Sequence, residues 1–505
     1  MQKWFKNLKF QQLFLLLILL SAVFLRFYNL EDSLMFQGDQ GRDSLVVSSI
    51  FKDLDPVFIG PVTSIGNMYL GPFYYYFMLP FLFLSYPSPM GPVYAVAAVS
   101  VLAVFLFFQI TKKIFQIKTA YLATIFFTFS AGVVNLARFS WNPNLAPFFS
   151  LLMFYFTYQA WKKDSKYWLA VAICFSILIQ LHYVTLLAFS GAALILLVQL
   201  FEKKKNKKQL IKHVILSIAI FLLSLTPLML FDYKHDFLNA KSFASIFTKE
   251  ESFNLEKKAQ RYQTSAIYKF LTLDLKDKAS KIMFEPSFGV HRLNHPFLFI
   301  AFLTSLVYLV KKRFKLPDEE KVLLAFLLPG IVGVSLYQHQ VYEHYIAYLF
   351  PFVYIFYGLF FAKFKNKWLM LLFLVPFLIF YINNNWSRYH LKDNGWKLSD
   401  LEKTSAAIYQ RVNNNEKYNI VLLSESKDLY GMNYRYFLST KENEPVKIED
   451  HHLAEKLFII NEEKVEKNVL DSLIYEIVVF PNKQVEEVFQ IENGPEITVL
   501  SSYNE

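Results

Sequence analysis

The chain has 505 residues, 54% of them hydrophobic and 18% aromatic, with 54 Phe and 31 Tyr. That apolar excess argues against an ordinary soluble enzyme and points to an integral membrane protein. The net charge of +11 does not indicate a nucleic-acid partner, because the lysines cluster in short loops between apolar runs, as membrane orientation requires.

Leu13–Leu25 follows Lys3, Lys6 and Lys9 and has no small-residue cleavage pattern behind it, so it reads as an uncleaved first span. With about 20 apolar residues needed per crossing, candidate spans fall near 10–29, 91–111, 119–137, 145–161, 167–184, 186–201, 211–231, 296–310, 321–337, 345–362 and 367–383, about eleven in all. Cys174, the only cysteine, lies inside one of them, which leaves no disulfide framework or cysteine metal site. Basic clusters at 112–118, 162–166, 203–208, 311–315 and 363–367 occupy every second loop. They describe a multi-pass plasma-membrane protein with a cytoplasmic N-terminus. Leu70–Tyr86 is left over: it is slightly short, begins at Gly71-Pro72 and is broken by Pro80. It reads as a re-entrant or interfacial segment, with Tyr74, Tyr75 and Tyr76 at headgroup level.

This topology collects on the outer face the loop 30–90, the turn Arg138–Asn144, His182-Tyr183, the long loop 232–295, Gln338–Tyr345 and a polar tail. The expected architecture is an α-helical polytopic membrane domain, 1–384, with a small extracytoplasmic α/β domain, 385–505, large enough to fold alone. In the tail, Trp396–Asn415 reads as helix, and Asn419–Ser424, Leu457–Ile460 and Tyr475–Phe480 read as strands.

The densest chemistry lies in Phe36–Asp43, where Gly38-Asp39-Gln40-Gly41-Arg42-Asp43 follows the first span. A carboxylate there can take a proton from an incoming hydroxyl or amine, and Arg42 can fork onto a phosphate. The local alternative is a solvated turn with Asp43 capping the following amphipathic segment, Ser44–Leu54. Arg138 can hold a lipid phosphate or snorkel to the headgroups, and Trp141 can anchor the interface. His182 ends an apolar helix and is either a site residue or a ring bonded to a carbonyl. Asp232, His235 and Asp236 open the long loop. His339, Glu343 and His344 match no fixed metal spacing. No phosphate-binding glycine loop or nucleophile elbow is present.

The first helix ending Leu25-Arg26-Phe27-Tyr28-Asn29-Leu30, the Gly38–Asp43 motif, Gly71-Pro72-Phe73-Tyr74-Tyr75-Tyr76 and the Lys112-Lys113 helix end together carry a resemblance. Over roughly 10–385 the chain resembles the polytopic GT-C glycosyltransferases, close to the lipid A aminoarabinose transferases, the protein O-mannosyltransferases and the bacterial dolichyl-phosphate-mannose-mannosyltransferase-like group. Gln40 stands where that family usually has a second acid, while the Asp-x-x-Arg spacing is kept. The resemblance implies transfer of a sugar from a polyprenyl-phosphate donor to a lipid, glycan or protein acceptor, usually with inversion. It implies Asp39 as general base and Arg42, with Arg138, on the donor phosphate. Asp43, His182, Tyr183 and Tyr74 would line the substrate cavity. It names no cofactor and leaves a divalent metal open. A lipid or glycolipid flippase, and a glycan polymerase or ligase of another membrane fold, are the alternatives. Against the flippase, no internal repeat is visible and the polar residues sit at helix ends rather than helix centres.

Overall fold

A computed structural model describes residues 8–63, 68–202, 206–248, 269–270, 274–289, 316–337, 340–393, 396–424, 428–462, 469–481 and 483–502. The expected span at 296–310 and His339 lie outside them. The chain opens with α1 (Leu8–Phe27), α2 (Gly38–Lys52), α3 (Phe73–Ser85), α4 (Met90–Ile114), α5 (Ile117–Thr128) and α6 (Ala131–Leu136). It continues through α7 (Ala146–Lys162), α8 (Tyr167–Leu181), α9 (Leu186–Phe201), α10 (Lys207–Ser224), α11 (Thr226–Lys234) and α12 (Leu238–Thr248). After α13 (Leu275–Phe288) come α14 (Asp318–Leu336), α15 (Glu343–Ile346), α16 (Phe350–Ala362) and α17 (Lys367–Trp386).

Among the described residues, five helices are long and apolar enough to cross a membrane, or six when the α10–α11 pair, bent by 52°, counts as one. Among the described residues the other expected spans are shorter or interrupted helices, apart from α14, which is 19 residues long and opens on Asp318, Glu319 and Glu320. The one expected at 119–137 breaks between α5 and α6, where the Ser130 hydroxyl accepts from the Val133 amide and caps the second piece. Leu13, Leu16, Leu20 and Phe24 on α1, and Leu369, Leu372, Val375 and Ile379 on α17, stay exposed at helical spacing, a stripe that lipid covers. The opposite stripes enter a core in which Phe107, Phe126, Phe127, Phe154 and Tyr354 are fully buried. At one end of the bundle, Lys162 pairs with Asp318, Lys363 with Glu320, and Lys118 donates to the Ala362 carbonyl. Three basic clusters therefore gather at that end. The leftover stretch folds as α3, which at about 1.5 Å per residue is about 20 Å long and too short for a hydrocarbon core of about 30 Å.

The tail carries α18 (Leu398–Tyr409), α19 (Met432–Leu438) and α20 (Tyr475–Val478) around a four-stranded sheet. Its strands are β1 (Tyr418–Leu423), β2 (Lys456–Asn461), β3 (Lys483–Gln490) and β4 (Glu496–Ser502), in the order β1-β2-β4-β3. β1 and β2 run parallel; the other two pairs are antiparallel. The segment expected as a third strand, Tyr475–Phe480, is instead the short helix α20 and the turn after it. Its apolar residues are spaced to bury Ile477 and Phe480 under the sheet rather than to alternate across it. Strands β3 and β4 carry charged or hydroxyl residues that masked them in the sequence.

Alternation divides the sheet faces. Val421, Leu423, Leu457 and Ile459 pack with Ile477 and Phe480. Ile420, Leu422, Phe458 and Ile460 face the other way, into a cluster that also holds Leu34, Phe36, Val47, Tyr75 and Met78. The tail and the first inter-helix loop thus share one hydrophobic core.

Candidate active site

Helix α2 begins at Gly38, with Gln37 extended before it, so Asp39 sits in its first turn, where the helix dipole favours a carboxylate. Arg42 follows one turn later on the same face, and its Nη1 donates to Asp39 Oδ1 at 2.7 Å. Its other edge is taken: Nε and Nη2 both donate to Asp43 Oδ1, at 3.0 and 2.7 Å. Side-chain exposure falls from 50% at Asp39 to 24% at Arg42 and 1% at Asp43.

Asp43 is therefore not the cap of a later helix. The helix starts a turn earlier, and Asp43 points inward beneath Tyr75, whose hydroxyl reaches its Oδ1 at 3.4 Å. Its Oδ2 is buried without a hydrogen-bond partner. Burial pushes the Asp43 carboxyl up to about 6, an effect that Arg42 offsets only in part.

Asp39 and Arg42 form part of the wall of a cavity of about 670 Å³. His182, Tyr183, Trp141 and His344 line it as well, and Leu186 and Leu187 from α9 with Val334 and Leu336 from α14 give it an apolar wall. His182 closes α8, and its Nδ1 accepts from the Val184 amide at 3.2 Å, which leaves the Nε2 position for the proton of the neutral ring. The His344 ring lies 4.4 Å from Trp141 and 6.0 Å from His182, centroid to centroid. Tyr183 donates to the Tyr69 carbonyl. Among the described residues no group of three or more His, Cys, Asp or Glu is arranged to hold a metal ion.

Three expected site residues lie elsewhere. Asp43 is behind Arg42, as described. Tyr74 is fully buried and shares a 2.7 Å hydrogen bond with Ser140; only Tyr76 of the three tyrosines is exposed. Arg138 is also buried. Its guanidinium donates to the carbonyls of His390, Leu25, Tyr28 and Asn29 and to the Ser33 hydroxyl, at 2.6–3.3 Å. It ties the end of α1 to the start of the loop and to the irregular segment after α17, and it does not line the cavity. The sequence reading missed the inward role of Tyr75 and the place of Trp141 in the cavity. It also missed Asp428 of the tail, which lies close enough to α2 to feel the charges of Asp39 and Arg42.

The family described as dolichyl-phosphate-mannose-protein mannosyltransferase matches residues 71–230, a region that starts after α2. By structure the chain is similar to ArnT from Cupriavidus metallidurans bound to undecaprenyl phosphate, with a TM-score of 0.58, 10% identity, and coverage of 96% of this chain and 97% of that one. The fold is GT-C. The same GT-C likeness holds for that ArnT in the apo state, at a TM-score of 0.57 and 10% identity over 96% and 97% of the two chains. The Archaeoglobus fulgidus oligosaccharyltransferase tethered with an acceptor peptide matches at a TM-score of 0.46 and 12% identity, over 83% of this chain and 62% of that one, too loosely to carry a conclusion. No curated protein matches the sequence. The chain is a multi-pass membrane protein with a GT-C-like fold and a small sheet domain toward its C-terminal end.

Proposed function

We propose that this protein is a membrane glycosyltransferase that moves a sugar from a polyprenyl-phosphate donor to a lipid, glycan or protein acceptor on the extracytoplasmic face, with inversion. The observation that carries the reading is the Asp39–Arg42 pair set in the wall of a cavity with an apolar side. A lipid phosphate needs a cation and an apolar trough; an acceptor hydroxyl needs a base. Both are present within one helical turn.

Asp43 fixes the Nε edge of Arg42, so the Nη1–Nη2 end is the edge left for a phosphate. A donor phosphate that takes this edge displaces Asp39 from Nη1 and leaves the Asp39 carboxylate to the acceptor. The acceptor oxygen then attacks the anomeric carbon as Asp39 takes its proton. The bond from that carbon to the phosphate oxygen breaks, and polyprenyl phosphate leaves with its charge held on Arg42. The apolar residues of α9 and α14 give the prenyl chain a surface to lie on.

The test is transfer in membranes supplied with labelled polyprenyl-phosphate sugars. The wild type should transfer from at least one donor, and Arg42→Lys should raise the donor KM by about tenfold, because an ammonium lacks the planar fork that holds Asp43 along one edge while presenting a second edge to phosphate. If no donor supports transfer and the protein instead moves an intact lipid across the bilayer, the reading is wrong.

A pH dependence follows from the carboxyl at about 6. The groups facing Asp43 are Arg42 and Asp39 from α2 and Tyr75 from α3, with Tyr74 nearby. As pH falls through that value Asp43 becomes neutral and its hold on Arg42 weakens. We expect kcat/KM to fall on the acid side with an inflection near 6, and Asp43→Asn to lower the plateau and remove the inflection. An Asp43→Asn profile with the wild-type inflection would place that titration on another group.

A further inference from the structure

The first turns of α2 carry three stripes at i, i+3 spacing. Asp39 and Arg42 face the cavity. Gln40 and Asp43 face inward, Gln40 donating to the Met35 carbonyl at 2.7 Å. Gly38 and Gly41 form the third stripe. Neither has a left-handed φ, so backbone freedom does not explain them. Their neighbour does. A Cβ at Gly41 would stand 2.4 Å from the Met432 carbonyl oxygen and 2.5 Å from the Asn433 nitrogen. A Cβ at Gly38 would stand 1.9 Å from Asp428 Oδ2. Both glycines are pressed against the C-terminal domain.

The contact continues on either side. Asn433 Nδ2 donates to the Phe36 carbonyl at 3.3 Å, and the Phe36 ring sits 5.9 and 5.8 Å from those of Tyr436 and Phe437. Tyr436 donates to the Pro87 carbonyl at 2.9 Å, and Lys52, at the far end of α2, donates to the Ser439 carbonyl at 2.9 Å. The docked helix is in turn held to its sheet. Buried Arg435 donates to the carbonyls of Tyr430, Val446 and Ile420 and to the Asn419 side chain.

We propose that the C-terminal domain is a positioning element of the transfer site: segment 428–437 seats on the Gly38/Gly41 stripe and sets the orientation in which Asp39 and Arg42 face the cavity. This rests on the glycosyltransferase reading for its catalytic consequence, though not for the docking itself. A backbone carbonyl cannot swing aside as a side chain can, so Gly41→Ala must move α2 or α19. The Asp428 carboxylate can turn away at the cost of the bond its Oδ2 accepts from the Met432 amide at 3.1 Å, so Gly38→Ala is the milder change and one that Asp428→Ala relieves.

The experiment uses the full-length chain and two readouts, donor-dependent transfer and amide hydrogen exchange across residues 37–44. Gly41→Ala is expected to lower kcat by at least about tenfold, since misplacements near 1 Å cost up to about a hundredfold, and to speed exchange across that window. Gly38→Ala is expected to lower kcat by about threefold, and the Gly38→Ala/Asp428→Ala double variant to return to the rate of Asp428→Ala alone. Rescue is the outcome that a generally weakened fold would not produce. The proposal falls if Gly41→Ala leaves rate and exchange unchanged, or if Gly38→Ala lowers kcat as much in the Asp428→Ala background as in the wild type. Should Gly41→Ala not accumulate, the Gly38/Asp428 pair decides alone. Should the wild type transfer no sugar, the functional reading fails while exchange still decides the docking.

Discussion

Asp39→Asn is expected to lower kcat by about 10²- to 10⁴-fold, the range a positioned general base contributes, with no rise in the donor KM. Asparagine keeps the size of the side chain and an oxygen that can still accept from Arg42 Nη1, so the first turn of α2 should stay as it is. What it loses is the basic charge that receives the acceptor proton. Removing that charge also removes the competitor that a donor phosphate meets at Arg42, so donor affinity should hold or improve. Steady-state transfer with the donor varied at saturating acceptor separates the two effects. An unchanged turnover would show that another group takes the proton.

The second large effect is on stability. Arg138→Ala should destabilise the fold by about 3 kcal/mol or more, because each buried acceptor left without its donor costs about 1–3 kcal/mol. The wild-type residue serves four carbonyls and a hydroxyl from two separate stretches of chain, Leu25–Ser33 and His390. Thermal unfolding in detergent measures the loss, and, if the proposed function holds, polyprenyl-phosphate binding by the folded fraction should match the wild type. A variant that unfolds normally but no longer binds that lipid would return Arg138 to the phosphate role that the resemblance implies.

Much of the bundle was legible because a bilayer imposes a simple rule, a long apolar run between alternating basic loops. The short helix α3 was also visible, since Gly71-Pro72 and Pro80 bound and interrupt the run. The i, i+3 spacing of Asp39 and Arg42 was legible, but that it lies in a helix was not, because the sequence reading began the helical segment at Ser44 and the helix starts at Gly38. Nor was the fate of Arg138, because an arginine that binds carbonyls and one that binds phosphate look alike until the carbonyls are placed in space. The same holds for Asp43, whose partner Tyr75 lies 32 residues away. Strands β3 and β4 escaped because Lys483–Gln490 lies at an edge of the sheet with an almost wholly exposed face. Its apolar alternation is diluted by Glu486 and Glu487. The shared core of loop and tail was invisible for a further reason: two stretches at opposite ends of a sequence carry no local trace of having met.

That meeting has a consequence for how the protein is made. Asn433 bonds the backbone of Phe36 across 397 positions of sequence. A ribosome that has delivered α1 and α2 to the membrane must still thread every later helix before the partner of α2 exists. Until then the outer surface of α2 has only water or a chaperone against it. On the docking proposal, a nascent chain sits in the bilayer with Asp39 and Arg42 not yet set toward the cavity, and segment 428–437 aligns them only once it has been made.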